Sequence, residues 1–264
     1  CHRMNLRWKK ALRDWTAAHA DLAAARDAAQ HGYLPQKLEA KLPVFDPSKP
    51  LATRNACGAV MCALAAEVPF LVGGSADLEP SNKTNLKPFG WNSATDFSGR
   101  NFHWGIRELG MSAIVNGLVA HGGYRAFGAT FAVFSDYCKP AMRLAALMGL
   151  PSMWVFSHDS FYVGEDGPTH EPVEQLAMLR TTPNLCTFRP ADANETAACW
   201  LAMLQRKDGP SCIFTSRQNL PVLEGTRAEG VAKGAYSIWQ AGPQTKDTVL
   251  FLASGSEVSL CIAA

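Results

Sequence analysis

Apolar and polar positions repeat along this chain with two periods, and the switches between them mark its elements. Between Leu6 and Gln30 the residues Trp8, Leu12, Trp15 and Leu22 recur at helical spacing in an alanine-rich background, which predicts one amphipathic helix. KLPVFDPSKP (Lys41 to Pro50) carries three prolines, each lacking the donor that a regular ladder needs, and reads as a linker beside a domain boundary. Helix-like and strand-like stretches then alternate. The pattern predicts a helix from Thr53 to Glu67 with Thr53 as its N-cap, the strand PFLVGG, and the polar loop SADLEPSNKTN. A helix over Arg107 to Ala120, a strand over Ala126 to Thr130, a helix over Phe134 to Met148 and a strand over Met153 to Phe156 follow. A helix restarts at Pro172, then a strand (Leu185 to Phe188), a helix (Asn194 to Gln205) and a strand (Cys212 to Thr215) complete the run. Asp192 and Glu195 form a capping-box-like start for the last of these helices. Such alternation defines an α/β fold, a parallel sheet sandwiched by helices.

The flanks are different. A second linker, PVLEGTRAEG, begins at Pro221, and GAYSIWQAG onward is expected to open another α/β unit with VLFLAS (Val249 to Ser254) as a strand. A first residue other than methionine and a final strand and helix without a further strand lead to the expectation of a fragment of a longer protein.

Composition narrows the function classes. The 264 residues are 47% apolar and carry a net charge of +2 from scattered basic residues, so neither nucleic acid nor an anionic membrane is an expected partner. Eight cysteines without a CxxC pair sit mostly in apolar segments, where the reduced side chain packs as a small hydrophobe. That usage, the lack of an 18-residue apolar run and an N-terminus without a signal-peptide core point to a soluble intracellular protein, cytoplasmic or within an organelle.

In a parallel sheet, ligands lie beyond the carboxyl ends of the strands. Those ends carry Ser75 and Asp77, then Thr130 and Phe131, then His158, then Ser216 and Arg217. The loop after the third of the predicted strands, HDSFYVGEDGPTHEP, gathers His158, Asp159, Glu165, Asp166 and His170, and its composition fits a solvated loop equally well. His158 and His170 stand too far apart in a glycine-bearing loop for helical metal-ligand spacing. Arg54 falls in the first turn of its helix, where the macrodipole favours an anion, so either a bound anion or a surface ion pair accounts for it. Glu108 lies on the same helical stripe as Met111, Val115 and Leu118, and a carboxyl there needs a partner.

Five segments together resemble one family. GGSADLEPSN, HWGIRELGM, ATFAVFSDY, HDSFYVGEDGPTHEPVEQLAMLR and SRQNLP follow the order and spacing of transketolase from about residue 50 to 222. The resemblance implies a pyrimidine-binding domain over residues 46–222, preceded by the tail of a diphosphate-binding domain and linker (1–45) and followed by the start of a C-terminal domain (223–264). It also implies transfer of a two-carbon ketol unit between sugar phosphates, thiamine diphosphate as cofactor, and a homodimer whose site is shared between subunits. The divalent metal, Mg or Ca, would be held by the preceding domain, whose GDG-to-Asn motif does not occur here. By motif, Glu108 of IRELGM resembles the acid that hydrogen-bonds the cofactor's aminopyrimidine, and Phe134 the aromatic that stacks on it, with Phe131 and Tyr137 alongside. Asp77 and Leu78 resemble further cofactor contacts. Arg54, Ser81, His158 and Arg217 resemble the group that grips the sugar phosphate, while Asp166 and His170 resemble contacts to its hydroxyls and carbonyl. Phe161-Tyr162 stand where the family's Ile-Gly pair is expected. A β-subunit-like half of another thiamine diphosphate enzyme and a non-catalytic dimerisation domain are the competing classes.

Overall fold

The computed structural model describes residues 1–264. Two helices, α1 (His2–Ala18) and α2 (Ala20–His31), precede a 3₁₀ turn at Leu38–Lys41 and the short strand β1 (Leu51–Ala52). The alternating body contains α3 (Thr53–Glu67), β2 (Leu71–Ser75), α4 (Glu79–Asn82), α5 (Glu108–His121), β3 (Arg125–Phe131), α6 (Ser135–Met148) and β4 (Met153–Ser157). It continues with α7 (Gln175–Arg180), β5 (Cys186–Phe188), α8 (Ala193–Gln205), β6 (Ser211–Thr215) and β7 (Asn219–Leu220). α9 (Ala228–Ala232) and α10 (Glu257–Ala263) follow.

β2, β3, β4, β6 and β5 lie in that order in one sheet, and every pairing is parallel. Because side chains alternate across a strand, each strand feeds two cores. Phe127, Met153, Val155 and Ile213 pack with Val60, Met61 and Leu64 of α3 and Trp200, Met203 and Leu204 of α8. Trp154, Phe156, Cys212 and Phe214 pack on the opposite face with Met111 and Val115 of α5 and Cys138, Met142 and Ala145 of α6. Gly128 faces Met111 so closely that a Cβ there would sit 3.0 Å from the Met111 side chain, which is what lets α5 lie on the sheet. Trp154 and Trp200 are fully buried, and their polar atoms are satisfied: Nε1 of Trp154 donates to Ser112 Oγ at 2.9 Å and Nε1 of Trp200 to Cys57 Sγ at 3.1 Å.

Two polar devices hold the helices to the sheet. Arg125, buried at the start of β3, donates from Nη2 to the carbonyls of Met203, Leu204 and Arg206, so it caps the carboxyl end of α8. Burial pulls its pKa down to about 10, which still leaves it charged at neutral pH. At the other end of α8, Asp192 Oδ1 accepts from Glu195 N at 2.7 Å, and Glu195 reaches back to the backbone N–H of Ala191 at 2.5 Å, close to the expected capping box.

Several expectations need correction. The predicted single N-terminal helix is two, broken at His19, and its apolar residues remain largely exposed. Thr53 is the first residue of α3 rather than its cap, and its hydroxyl is engaged with Ser216. The helix expected from Pro172 begins only at Gln175, because the intervening residues are drawn into turns. Val249 to Ser254 form no strand; Val249, Leu250, Phe251 and Leu252 are exposed, with no neighbouring strand to complete their backbone bonds. The antiparallel pairing of β1 with β7, which joins the two ends of the body, has too few residues to leave a periodic signal.

Candidate active site

The carboxyl edge of the sheet collects the polar residues, as parallel topology requires. β6 ends at Thr215, and the next residue, Ser216, is locked to the start of α3: Ser216 N donates to Thr53 Oγ1 at 2.7 Å and Thr53 N donates to Ser216 Oγ at 3.0 Å. That pair sets Arg54 and Arg217 on one rim. Arg54 Nη1 donates to the Ser81 carbonyl at 2.9 Å and lies 3.4 Å from His158 Nε2. Its buried Nε has no partner in the chain. Burial and the nearby Arg217 lower the Arg54 pKa, the signature of a cation held among other cations. Arg217 lies against Gly164, whose left-handed backbone (φ 102°) leaves room for it; a Cβ there would come within 2.9 Å of the guanidinium carbon.

His158 follows β4 with φ 61°, a left-handed conformation that turns its ring back over the sheet edge. Burial first, then Arg54, pushes its pKa down to about 4, with Asp166 acting in the opposite direction. The imidazole is therefore neutral at physiological pH. Beneath it runs a buried chain of hydrogen bonds through Ser157, Asn82 and Ser75. Neither Asn82 nor Ser157 was among the expected site residues. Asn82 sits in an Asn-Lys-Thr sequon, which conceals it, and Ser157 closes a strand whose predicted end was one residue too early.

The neighbouring stretch of edge is aromatic and acidic. Phe131, at the end of β3, has its ring centroid 3.9 Å from that of His158, and lies nearly parallel to Phe134 at 6.1 Å. His170 meets Phe134 edge-on at 5.2 Å and Phe131 at 6.1 Å, so the loop after β4 returns to the same place. Tyr137 touches this group through Phe134 at 6.2 Å and is otherwise exposed. Glu108, in the first turn of α5, is buried, and Oε1 accepts from Thr130 Oγ1 at 3.2 Å. Its other oxygen, Oε2, takes no hydrogen bond from the chain. A buried carboxyl with one oxygen engaged and one free, bonded to the residue that precedes Phe131, can hold a ring bearing a nitrogen and exchange a proton with it.

Asp77 and Leu78 lie at the exit of β2, where Asp77 has a left-handed backbone and Leu78 opens α4. They join the other candidates through the backbone, since the Leu78 carbonyl accepts from the N–H groups of Ser81 and Asn82. Asp166 is exposed. Asp159 belongs to another structure: it is buried and accepts from Arg189 Nε at 2.7 Å, and Arg189 is also paired with Glu257. No group of three or more His, Cys, Asp or Glu side chains is arranged to hold a metal ion. No helix is long and apolar enough to cross a membrane.

Sheet, covering helices and a polar, aromatic edge define an α/β ligand-binding domain. A family model described as transketolase, pyrimidine binding domain, matches residues 49–222. The chain belongs to the transketolase family. It is 50% identical over 260 residues to a transketolase of Bacillus subtilis, covering 97% of this chain and 39% of that protein. Among solved structures, transketolase from Leishmania mexicana superposes with a TM-score of 0.93 at 42% identity, over 100% of this chain and 39% of the other. A Pichia stipitis transketolase in complex with sedoheptulose-7-phosphate does so with 0.93 at 39% identity, over 99% of this chain and 39% of the other. The chain thus spans about two fifths of the length of the relatives it matches.

Proposed function

We propose that this chain is the middle part of a thiamine diphosphate-dependent transketolase, transferring a two-carbon ketol unit from a ketose phosphate to an aldose phosphate in the pentose phosphate pathway of the cytoplasm. The observation that carries this reading is the junction at His158 of two unlike surfaces. The buried Glu108 and the Phe131–Phe134–His170 cluster lie on one side, and Arg54, the Ser81 carbonyl and Arg217 on the other.

Bound thiamine diphosphate supplies an acidic carbon that, once deprotonated, adds to carbonyls, chemistry no side chain offers. The residues fit its ring end: Glu108 Oε2 is free to hold and return a proton at the ring nitrogen, and Phe134 offers a flat face, with Phe131, Tyr137, Asp77 and Leu78 around it. They do not fit the metal, for which the chain has no ligand group. Diphosphate and metal belong in this reading to a preceding domain, of which residues 1–45 are the tail, while 46–222 form the pyrimidine-binding domain and 223–264 begin a third. Arg54, Ser81, His158 and Arg217 hold the sugar phosphate, and the orphaned Arg54 Nε supports an anion there. Asp166 and His170 orient substrate hydroxyls and the carbonyl. The exposed Ile106, Leu109, Ile114, Leu144 and Leu147 support burial of the α5–α6 face against a second subunit, which makes the site a shared one in a homodimer.

The 264 residues alone are then expected to lack ketol transfer and to bind the cofactor weakly. Turnover of xylulose 5-phosphate and ribose 5-phosphate by the purified chain at an enzymatic rate would overturn the division of the site between domains.

A further inference from the structure

The hydrogen bonds beneath His158 admit only one direction. Ser75 Oγ lies 3.1 Å from the Ala129 carbonyl, which can only accept, so the Ser75 hydroxyl donates there. Asn82 Nδ2 then donates to Ser75 Oγ at 2.5 Å, which turns the Asn82 carbonyl oxygen toward Ser157. Ser157 Oγ donates to that oxygen at 2.6 Å and has no second proton to give. At 2.8 Å from His158 Nδ1, Ser157 must therefore accept. The opposite end gives the same answer independently, since Arg54 Nη1, 3.4 Å from Nε2, can only donate. Ser75, Asn82, Ser157 and His158 are all buried, with Asn82 and Ser157 at 0% exposure, so no water competes for these bonds.

We propose that Asn82 and Ser157 are positioning residues that hold His158 as the Nδ1–H tautomer and present Nε2 to the pocket as an acceptor. Arg54 Nη1 reaches the Nε2 lone pair only at 3.4 Å, so a ligand that takes its place there has to bring a proton of its own, as a hydroxyl or a singly protonated phosphoryl oxygen. A fully ionised phosphoryl oxygen facing Nε2 would set two lone pairs against each other. This consequence, unlike the tautomer itself, rests on the reading of the Arg54–His158–Arg217 pocket as an anion site. The charged and titratable groups that bear on His158 are Arg54 on α3, Arg217 after β6, and Asp166 and His170 in the loop after β4.

The tautomer is measured without ligand, by ¹⁵N NMR of the 264-residue chain labelled at histidine near pH 7. His158 should show a pyrrole-like Nδ1 and a pyridine-like Nε2, and Ser157→Ala, which removes one oxygen and nothing else, should shift its population toward the other tautomer. Asn82→Ala should do the same, because the freed Ser157 hydroxyl can then donate to Nδ1. An Nε2–H ring in the unmutated chain, or a tautomer indifferent to Ser157→Ala in a folded variant, overturns the proposal. Inorganic phosphate and sulfate titrated from about pH 6 to 8 test the consequence, since only phosphate loses a proton in that range. Phosphate affinity should fall about 10-fold more than sulfate affinity, the effect of one charge-assisted hydrogen bond. Parallel slopes overturn the requirement for a donor. If neither anion binds, the anion-pocket reading and this consequence fall together, while the NMR result still decides the tautomer.

Discussion

The two halves of the sheet edge are built on opposite electrostatic plans. Glu108 is a buried carboxyl whose side-chain hydrogen bond comes from Thr130, and it makes no ion pair. Around His158 two arginines converge, with burial and like charge lowering the Arg54 pKa. A buried acid with one oxygen left unbonded is suited to handing a proton to a ligand and taking it back. A surplus of fixed cations is suited to holding an anion and cannot move a proton at neutral pH. The difference teaches that the two regions should fail differently when mutated: one in rate, the other in affinity.

The largest effect is expected at Glu108. In a full-length transketolase polypeptide carrying this chain, Glu108→Gln keeps the shape and a hydrogen bond but removes proton exchange, so turnover should fall about 10²- to 10⁴-fold. Folding and the KM for phosphorylated sugars should change little. Deuterium exchange at the cofactor's thiazolium C2 is the direct measurement, and exchange as fast as in the unmutated enzyme would move the acid role elsewhere.

The basic half should show the reverse pattern. Arg217→Ala or Arg54→Ala should weaken phosphorylated substrates by about 1.5 to 3 kcal/mol each, with much smaller losses for unphosphorylated donors. Equal losses on both substrate types would mean that the arginines serve the fold.

His158 connects the two halves, and its effect on stability has a definite sign. Its pKa is about 4 in the folded chain, below the ordinary 6.5. Between those values the unfolded chain binds the extra proton, so stability is complete above about pH 6.5 and is lost as pH falls toward 4. With the open side of the pocket screening part of the effect, urea unfolding should show a loss of about 1 to 3 kcal/mol over this window. His158→Gln should remove that slope; an unchanged slope would assign it to other groups.

How much of this was legible beforehand depends on what each residue must do in its own element. Glu108 was visible because an acid on an apolar helical stripe breaks the period, and the structure does bury it. Arg54 was visible because a cation in the first turn of a helix opposes the dipole. The five parallel strands followed from continuous apolar runs. Asn82 and Ser157 were not legible, because they lie 75 residues apart in sequence and only the packing of α4 against β3 and β4 brings them together. Ser81 meets Arg54 through its backbone carbonyl, a contact that no side-chain pattern announces. Periodicity misled at the flanks: VLFLAS has the pattern of a strand, but a strand exists only where a neighbour completes its ladder.

Thr130 provides the smallest and sharpest test of the contrast between the halves. It is buried, its hydroxyl donates to Glu108 Oε1 at 3.2 Å, and it is followed directly by Phe131, which touches His158. Thr130→Val has nearly the same shape and leaves the aromatic cluster in place, so it removes a single neutral-to-acid hydrogen bond. Such a bond contributes about 0.5 to 1.5 kcal/mol, and turnover should drop by roughly 2- to 10-fold as Glu108 loses the group that fixes its orientation. Phosphate affinity should stay within error, because no bond of Arg54, His158 or Arg217 involves Thr130. A fall in phosphate affinity with turnover intact would show that Thr130 acts through Phe131 on His158. In that case the two halves would be coupled through the end of β3 instead of working independently.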